Sequence, residues 1–398
     1  MNNFNFYNPT RVIFGEGMLE VLGQEAVKYG SNAMVVSYQD LGVLEETVKK
    51  VEALLTDAGI KVTEYYEISP NPLVYHVEKG VELARAKGID LVVGIGGGSA
   101  MDSAKLIAAG VDYEHKIWKM IVSRHDKEVA IPPNSSLPTI MIPTLPATSS
   151  EMNWGAVLTN EKTQEKSYVF SEVLFPKVSI MDPSLTITLP AKQTALGVAD
   201  AISHAMETYL NTDDESPIQQ RMAEGVISTL MDEGRKVLAD LTDINHRSIV
   251  QWTAAIAWNG WTNTGADHGN PMHHIGHVIS AYNNTPHGAT LSIIMPAWMR
   301  FTYKLNIRRY VEMAENIFKI NIHGRDEEDI AIEAIDTFEQ YLIEIGVPVR
   351  LSEVGIGEES IGMFTKKVLE VSGQENGSLI SRHFIDRDAI YNIFKLAL

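Results

Sequence analysis

Histidine is concentrated in one stretch of this chain. Of 12 histidines, His268, His273, His274, His277 and His287 lie between positions 268 and 287. His273 and His277 are four apart and share one face if the segment is helical. His287 follows NNTP, a turn signal that lets the chain double back toward them. Upstream, ALGVADAISHAMETYL carries Asp200 and His204 at the same i, i+4 spacing. Ala195, Ala199, Ile202, Met206 and Tyr209 make the buried stripe of that helix, and the Asp/His pair runs along its edge. One carboxylate with several imidazoles and no thiolate is a donor set for Fe(II), Zn(II) or Mn(II). Any single histidine here also reads as an ordinary core or surface residue, and spacing alone leaves both readings open.

A second constellation is the glycine-rich run GIGGGSAMDSAK at 94–105, between a strand-like and a helix-like segment. Consecutive glycines let backbone approach a ligand, and free amides at a helix start attract phosphate. The run lacks the Rossmann fingerprint, because Ser99 stands at the third glycine position, and it lacks the GK[ST] ending of a P-loop. It reads equally as a phosphate-binding turn and as a tight strand-to-helix connection.

The elements that must position these residues follow from periodicity. Residues 33–38, 61–68, 91–97 and 138–145 are strand-like. They alternate with helical patterns at 44–59, 73–88 and 99–110, two of which end in a glycine stop. Such alternation implies a parallel sheet with helices on both faces. Residues 154–159 and 166–170 flank a polar turn and predict a hairpin, with 177–182 as a last strand. Beyond Pro190 the pattern is almost purely helical, as in MAEGVISTLMDEGRKVLADL and EEDIAIEAIDTFEQYLIEIG. The expected organisation is an α/β domain over 1–185 and an all-α domain over 186–398.

Composition narrows the chemistry. The chain has 398 residues, no cysteine, 45% hydrophobic and 21% charged residues and a net charge of −18. Disulfides, thiolate zinc sites, iron–sulfur clusters and a cysteine nucleophile are excluded, so a metal needs His, Asp or Glu. The negative charge disfavours a broad nucleic-acid or anionic-membrane surface. MNNFNFYNPTRV has no signal-peptide pattern, and no apolar run approaches the ~20 residues of a membrane span. A soluble, intracellular protein is expected, without nucleic-acid or membrane partners.

GGGSAMDSAK, DAISHAMETY and HHIGHVISAYNNTPHG, in this order and separation, resemble the iron-containing (group III) alcohol dehydrogenases. The resemblance is to the branch of NAD(P)H-dependent butanol dehydrogenases and aldehyde reductases, and it runs from NPTRVIFGEG to SEVGIG. It implies a dehydroquinate-synthase-like fold with the active site in the cleft between domains. It also implies metal ligands at Asp200, His204, His273 and His287, and a proton-moving histidine at His277. His268 and His274 receive no role, and Glu207, one turn past His204, reads more readily as a polar helix residue than as support for a ligand. For the cofactor the resemblance implies Gly96, Gly97, Gly98, Ser99 and Asp102 at the pyrophosphate. It further implies Thr144, Thr148, Ser149 and Asn153 on the threonine-rich loop, Lys166 near the ribose and Leu185 near the adenine.

Two positions depart from the family pattern. Ser149 stands where the loop usually has glycine. At the end of the 33–38 strand, NAD-preferring members place aspartate and NADP-preferring members often glycine, whereas this chain has Gln39 followed by Asp40. Neutral Gln39 leans the expectation to NADP(H), with NAD(H) still possible. The implied reaction is reversible reduction of aldehydes to primary alcohols of the butanal/butanol type, by a homodimer carrying one Fe(II) or Zn(II) per chain. Trp154, Trp258, Trp261 and Thr264 flank the motifs and could line an apolar pocket. The alternatives are a glycerol-dehydrogenase-like polyol oxidoreductase, an inactive metal- or nucleotide-binding scaffold, and a dehydroquinate-synthase-like lyase. The last lacks a Lys/Arg cluster beside the histidine motif.

Overall fold

The computed structural model describes residues 2–123, 129–212, 215–266 and 269–398. The chain forms two compact units. One comprises Tyr7–Pro190 with Asp240–Ala255, the other Met1–Phe6, Ala191–Ala239 and Ile256–Leu398.

The first unit is built on strands β1 (Arg11–Phe14), β2 (Asn32–Tyr38), β3 (Lys61–Ile68), β4 (Leu91–Gly96), β5 (Thr139–Pro143) and β8 (Val178–Met181), with a hairpin of β6 (Gly155–Asn160) and β7 (Glu165–Phe170). The six-stranded sheet has the order β1-β8-β5-β4-β2-β3 and every pair in it is parallel. Helices α1 (Leu22–Ala26), α2 (Glu45–Asp57), α3 (Val74–Lys87) and α4 (Gly98–Gly110) connect the strands. Successive side chains point to opposite faces, so Met34, Val36, Val92 and Met141 join one core while Ala33, Val35, Val93, Ile140 and Ile142 join another. Buried on both faces, these strands read as continuous apolar runs. Gly88 closes α3 in the left-handed conformation at φ 63°, as its place after the periodic run predicts. Strand β1 carries no sequence signal of its own, because RVIF is an edge strand with mixed exposure. It is defined by its parallel register on β8.

The second unit is helical: α5 (Ala191–Asn211), α6 (Pro217–Ala239), α8 (Pro271–Asn283), α9 (His287–Thr302), α10 (Ile307–Asn316), α11 (Glu327–Glu344), α12 (Ile361–Ser372) and α13 (Arg387–Leu396). Helix α7 (Ile244–Ile256) falls almost wholly within the α/β unit. Helix α5 packs against α6 and α9, and α8 against α9. It is not the one-sided helix that its apolar stripe predicts. Asp200, Ser203, Glu207, Thr208 and Asn211 are buried along with the stripe, because neighbours enclose it on several sides. The NNTP turn behaves as expected: Asn284 ends α8 at φ 51°, and Pro286 precedes α9. Gly288 then lets α9 press onto α5, since a Cβ there would meet the Leu196 carbonyl oxygen at 2.2 Å. That close approach carries His287 to Asp200.

Candidate active site

In the helical unit, one ligand atom each from Asp200, His204 and His273 lies within 4.8 Å of the others. The pair on α5 supplies two of them from successive turns, and α8 brings the third across. His287 Nε2, at the first residue of α9, is 3.7 Å from Asp200 Oδ1, and its ring centroid is 5.4 Å from that of His273. The His204 and His273 rings stack at 4.4 Å. His277 is buried one turn further along α8, with its ring 6.3 Å from His273 and 5.2 Å from His287. The five residues singled out from sequence thus share one place. His268 lies outside the described residues.

This donor set suits a divalent cation. His204 Nε2 is buried and makes no hydrogen bond among the described residues, an arrangement that costs free energy unless a ligand meets it. Burial holds the His204 imidazole well below its usual pKa and hence neutral, the state that coordinates metal. Three nitrogens and a carboxylate oxygen without thiolate are compatible with Fe(II) or Zn(II).

Glu207 is the residue that sequence reasoning undervalued. It is almost fully buried, its Oε2 contacts His273 Nδ1 and its Oε1 accepts the Met272 backbone amide. The i+3 spacing from His204 places it near the ligand pair, but nothing local indicates that α8 would arrive opposite it. Trp258 approaches the cluster from another side, its ring 6.0 Å from His204. Trp261 is 39% exposed, and Trp154 packs on Phe170 and Phe175.

In the α/β unit, the second set of predicted residues gathers at the carboxyl ends of β2, β4 and β5. Strand order reverses between β2 and β4, and such a reversal opens a crevice at the strand ends. Gly96, at φ 143°, makes the turn, and Gly97 is the N-cap of α4. A Cβ on Gly98 would meet Thr148 Cγ2 at 2.6 Å, so the glycine turn and the threonine-rich loop are in close contact. The Thr144 amide donates to Gly96 oxygen at 2.9 Å. Asn153 Nδ2 donates to Thr148 oxygen at 3.2 Å, while its own oxygens accept from Lys105 Nζ at 3.0 Å. Asp102 accepts from Ser150 Oγ at 2.6 Å and from the Val157 amide at 2.8 Å, so its carboxylate holds the loop and hairpin in place. Burial raises the Asp102 pKa against the pull of Lys105. Lys166 Nζ donates to Asn71 Oδ1 at 2.9 Å, and Leu185 packs on the core beneath the sheet.

Ser149 sits in the left-handed region at φ 55°, a conformation that favours glycine. Gln39 and Asp40 are exposed, and Asp40 Oδ1 accepts the Gly42 amide at 3.1 Å. Two residues here escaped the sequence reading. Tyr38, at a register irregularity of β2, accepts the Gly97 amide on its hydroxyl at 3.0 Å. Asn71, in the left-handed region at φ 58°, faces Lys166. The only local signal for Asn71 is the Asn-Pro turn dipeptide at 71–72.

A family model described as iron-containing alcohol dehydrogenase matches residues 9–183, and one described as Fe-containing alcohol dehydrogenase family, C-terminal, matches 194–398. The chain belongs to the iron-containing alcohol dehydrogenase family. It is 34% identical to the probable NADH-dependent butanol dehydrogenase 1 of Bacillus subtilis, covering 100% of each chain. It is 33% identical, again over 100% of both, to the NADPH-dependent aldehyde reductase YqhD of Escherichia coli. Among solved structures, NADH-dependent butanol dehydrogenase A from Thermotoga maritima superposes with a TM-score of 0.92 at 35% identity, covering 100% of this chain and 99% of that one. As a member of this family the protein is an NAD(P)-dependent alcohol dehydrogenase that interconverts aldehydes and alcohols, using a nicotinamide nucleotide and a metal. Its substrates are small molecules. Among the described residues no helix is long and apolar enough to cross a membrane.

Proposed function

We propose that this alcohol dehydrogenase reduces short aldehydes of the butanal type to primary alcohols, reversibly, at a metal centre formed by Asp200, His204, His273 and His287. The observation that carries the reading is the convergence of Asp200, His204 and His273 within 4.8 Å in one helical unit. A bound divalent ion, Fe(II) or Zn(II), supplies Lewis acidity toward the substrate oxygen, and the nicotinamide supplies the hydride. The protein's own part is positional and protic. Asp200 contributes the negative charge of the donor set, and burial keeps His204 neutral. In reduction the carbonyl oxygen must gain a proton, and His277 is the proposed donor, directly or through water. Trp258, beside His204, is the proposed apolar wall for the substrate chain.

The turn Gly96, Gly97, Gly98 and Ser99 is proposed to hold the pyrophosphate, with the Gly97 amide kept on Tyr38 and the amides that follow it offered to the ligand, and with Thr144, Thr148, Asn153, Lys166 and Asn71 completing the nucleotide site. Gln39 carries no charge against a 2′-phosphate, which supports use of NADPH. The segment 38–46, YQDLGVLEE, offers no lysine or arginine to receive that phosphate, and Lys49 Nζ is engaged by Glu45 at 2.8 Å. We therefore propose both NADPH and NADH as donors. The proposed setting is a cytoplasmic homodimer, where NAD(P)H and Fe(II) are supplied.

The test is butanal reduction by the metal-depleted protein reconstituted anaerobically with Fe(II) or Zn(II), with NADH and NADPH in parallel. Metal-dependent turnover is the expected result. Tight metal binding without turnover on butanal, but with turnover on glycerol, would transfer the assignment to polyols.

A further inference from the structure

We infer that Glu207 is a positioning residue that sets the tautomer of His273, so that Nε2 is the nitrogen presented to the cation. The inference rests on the metal-centre reading above. A carboxylate only accepts hydrogen bonds, and Glu207 has two buried neighbours that donate: the Met272 backbone amide at Oε1 and His273 Nδ1 at Oε2. The Met272 amide lies in the first turn of α8 and has no intrahelical acceptor, so Glu207 also caps that helix. With Nδ1 carrying the proton, Nε2 is the accepting nitrogen of the neutral ring, on a residue that offers a ligand atom within 4.8 Å of those of Asp200 and His204. One buried side chain of α5 thus locks the start of α8, the ring plane of His273 and the position of its proton.

The geometry makes an amide at position 207 a sharp probe. In Glu207→Gln the side-chain oxygen has to face the Met272 amide, which can only donate. The NH2 group is then turned toward His273 Nδ1, which must accept, and the imidazole proton moves to Nε2, the nitrogen needed for the metal. Glu207→Asp keeps two accepting oxygens and so keeps the original tautomer, though with poorer reach.

The experiment uses the full-length, metal-free protein with 15N-labelled histidine, and follows the His273 ring nitrogens at neutral pH by NMR. Zn(II) affinity is measured by chelator competition on the same samples. Wild type is expected to show protonated Nδ1, Glu207→Gln protonated Nε2 with Zn(II) affinity lowered about 10–100-fold, and Glu207→Asp the wild-type tautomer with a smaller loss. Protonated Nε2 in the wild type overturns the inference without any variant, which also covers failure of Glu207→Gln to fold. Equal Zn(II) loss in Gln and Asp variants with an unchanged tautomer reduces Glu207 to a helix cap and overturns it as well. Absence of Zn(II) and Fe(II) binding by the wild type with His273 protonated at Nδ1 would instead defeat the metal-centre reading and leave the tautomer assignment standing.

Discussion

The Ser149 hydroxyl donates to the Ala254 carbonyl oxygen at 2.7 Å while its own backbone stays left-handed at φ 55°. A residue with a Cβ pays about 1–2 kcal/mol for that conformation, and a buried hydrogen bond returns about 0.5–1.5 kcal/mol. The bond ties the threonine-rich loop to α7, which explains how a serine persists at a place suited to glycine. Ser149→Ala keeps the strain and loses the bond, so it should destabilise by about 0.5–1.5 kcal/mol. Ser149→Gly loses both together and should stay within about 1 kcal/mol of wild type. Urea unfolding of the three proteins tests this, and an alanine variant as stable as the glycine one would refute it.

Tyr38 should matter to nucleotide binding without touching the metal. Its hydroxyl accepts the Gly97 amide at the start of α4, and Tyr38→Phe leaves that amide without its acceptor. The loosened turn should weaken NADH binding several-fold, read by quenching of nicotinamide fluorescence, with bound Zn(II) unchanged. Unaltered NADH affinity would show that the hydroxyl is incidental to the turn.

His273 and His277 should separate cleanly. His273→Ala removes a member of the three-residue cluster and should abolish both metal retention and turnover. His277→Ala should retain metal while turnover falls about 10²-fold or more. Metal analysis beside steady-state rates decides the matter, and equal metal loss in both variants would end this division of roles.

A pH effect should come from the charges buried beneath the nucleotide loop. Burial pushes the Glu151 carboxyl up to about 7 and Lys105 down to about 8. The folded state therefore holds more protons on Glu151 than the unfolded chain does between its ordinary value of 4.5 and about 7, and this contribution to stability falls as pH rises through that window. Lys105 acts with the opposite slope, because between about 8 and 10.5 the unfolded chain binds more protons and stability rises with pH. Glu151→Gln should thus gain in melting temperature relative to wild type as pH goes from 5 to 7.5. A difference that stays constant over that range would rule out the linkage.

Much of the fold is legible in the chain because the signals are local. The strands at 32–38 and 61–68 and the helices after them come from period-2 and period-3.6 patterns and from stops such as Gly88. Helix α5 was legible as a helix but not in its surroundings. Its stripe accounts for one face, and the burial of Asp200 and Glu207 depends on which helices pack around it. The assignment of α7 to the α/β unit is likewise a property of packing, since a helical period says nothing about which sheet or bundle will cover it.

For the site, residue types and spacing on their own determined a cysteine-free, His/Asp-based chemistry, the pairing of Asp200 with His204, the turn before His287 and the glycine run that opens α4. Only the tertiary structure decided that α8 and α9 bring His273 and His287 to Asp200, that Tyr38 holds Gly97 and that Glu207 meets His273. The physical reason is range. Backbone geometry relates side chains three or four residues apart on one helix, whereas contacts spanning some 60 residues, as between Glu207 and His273, exist only once separate elements have packed.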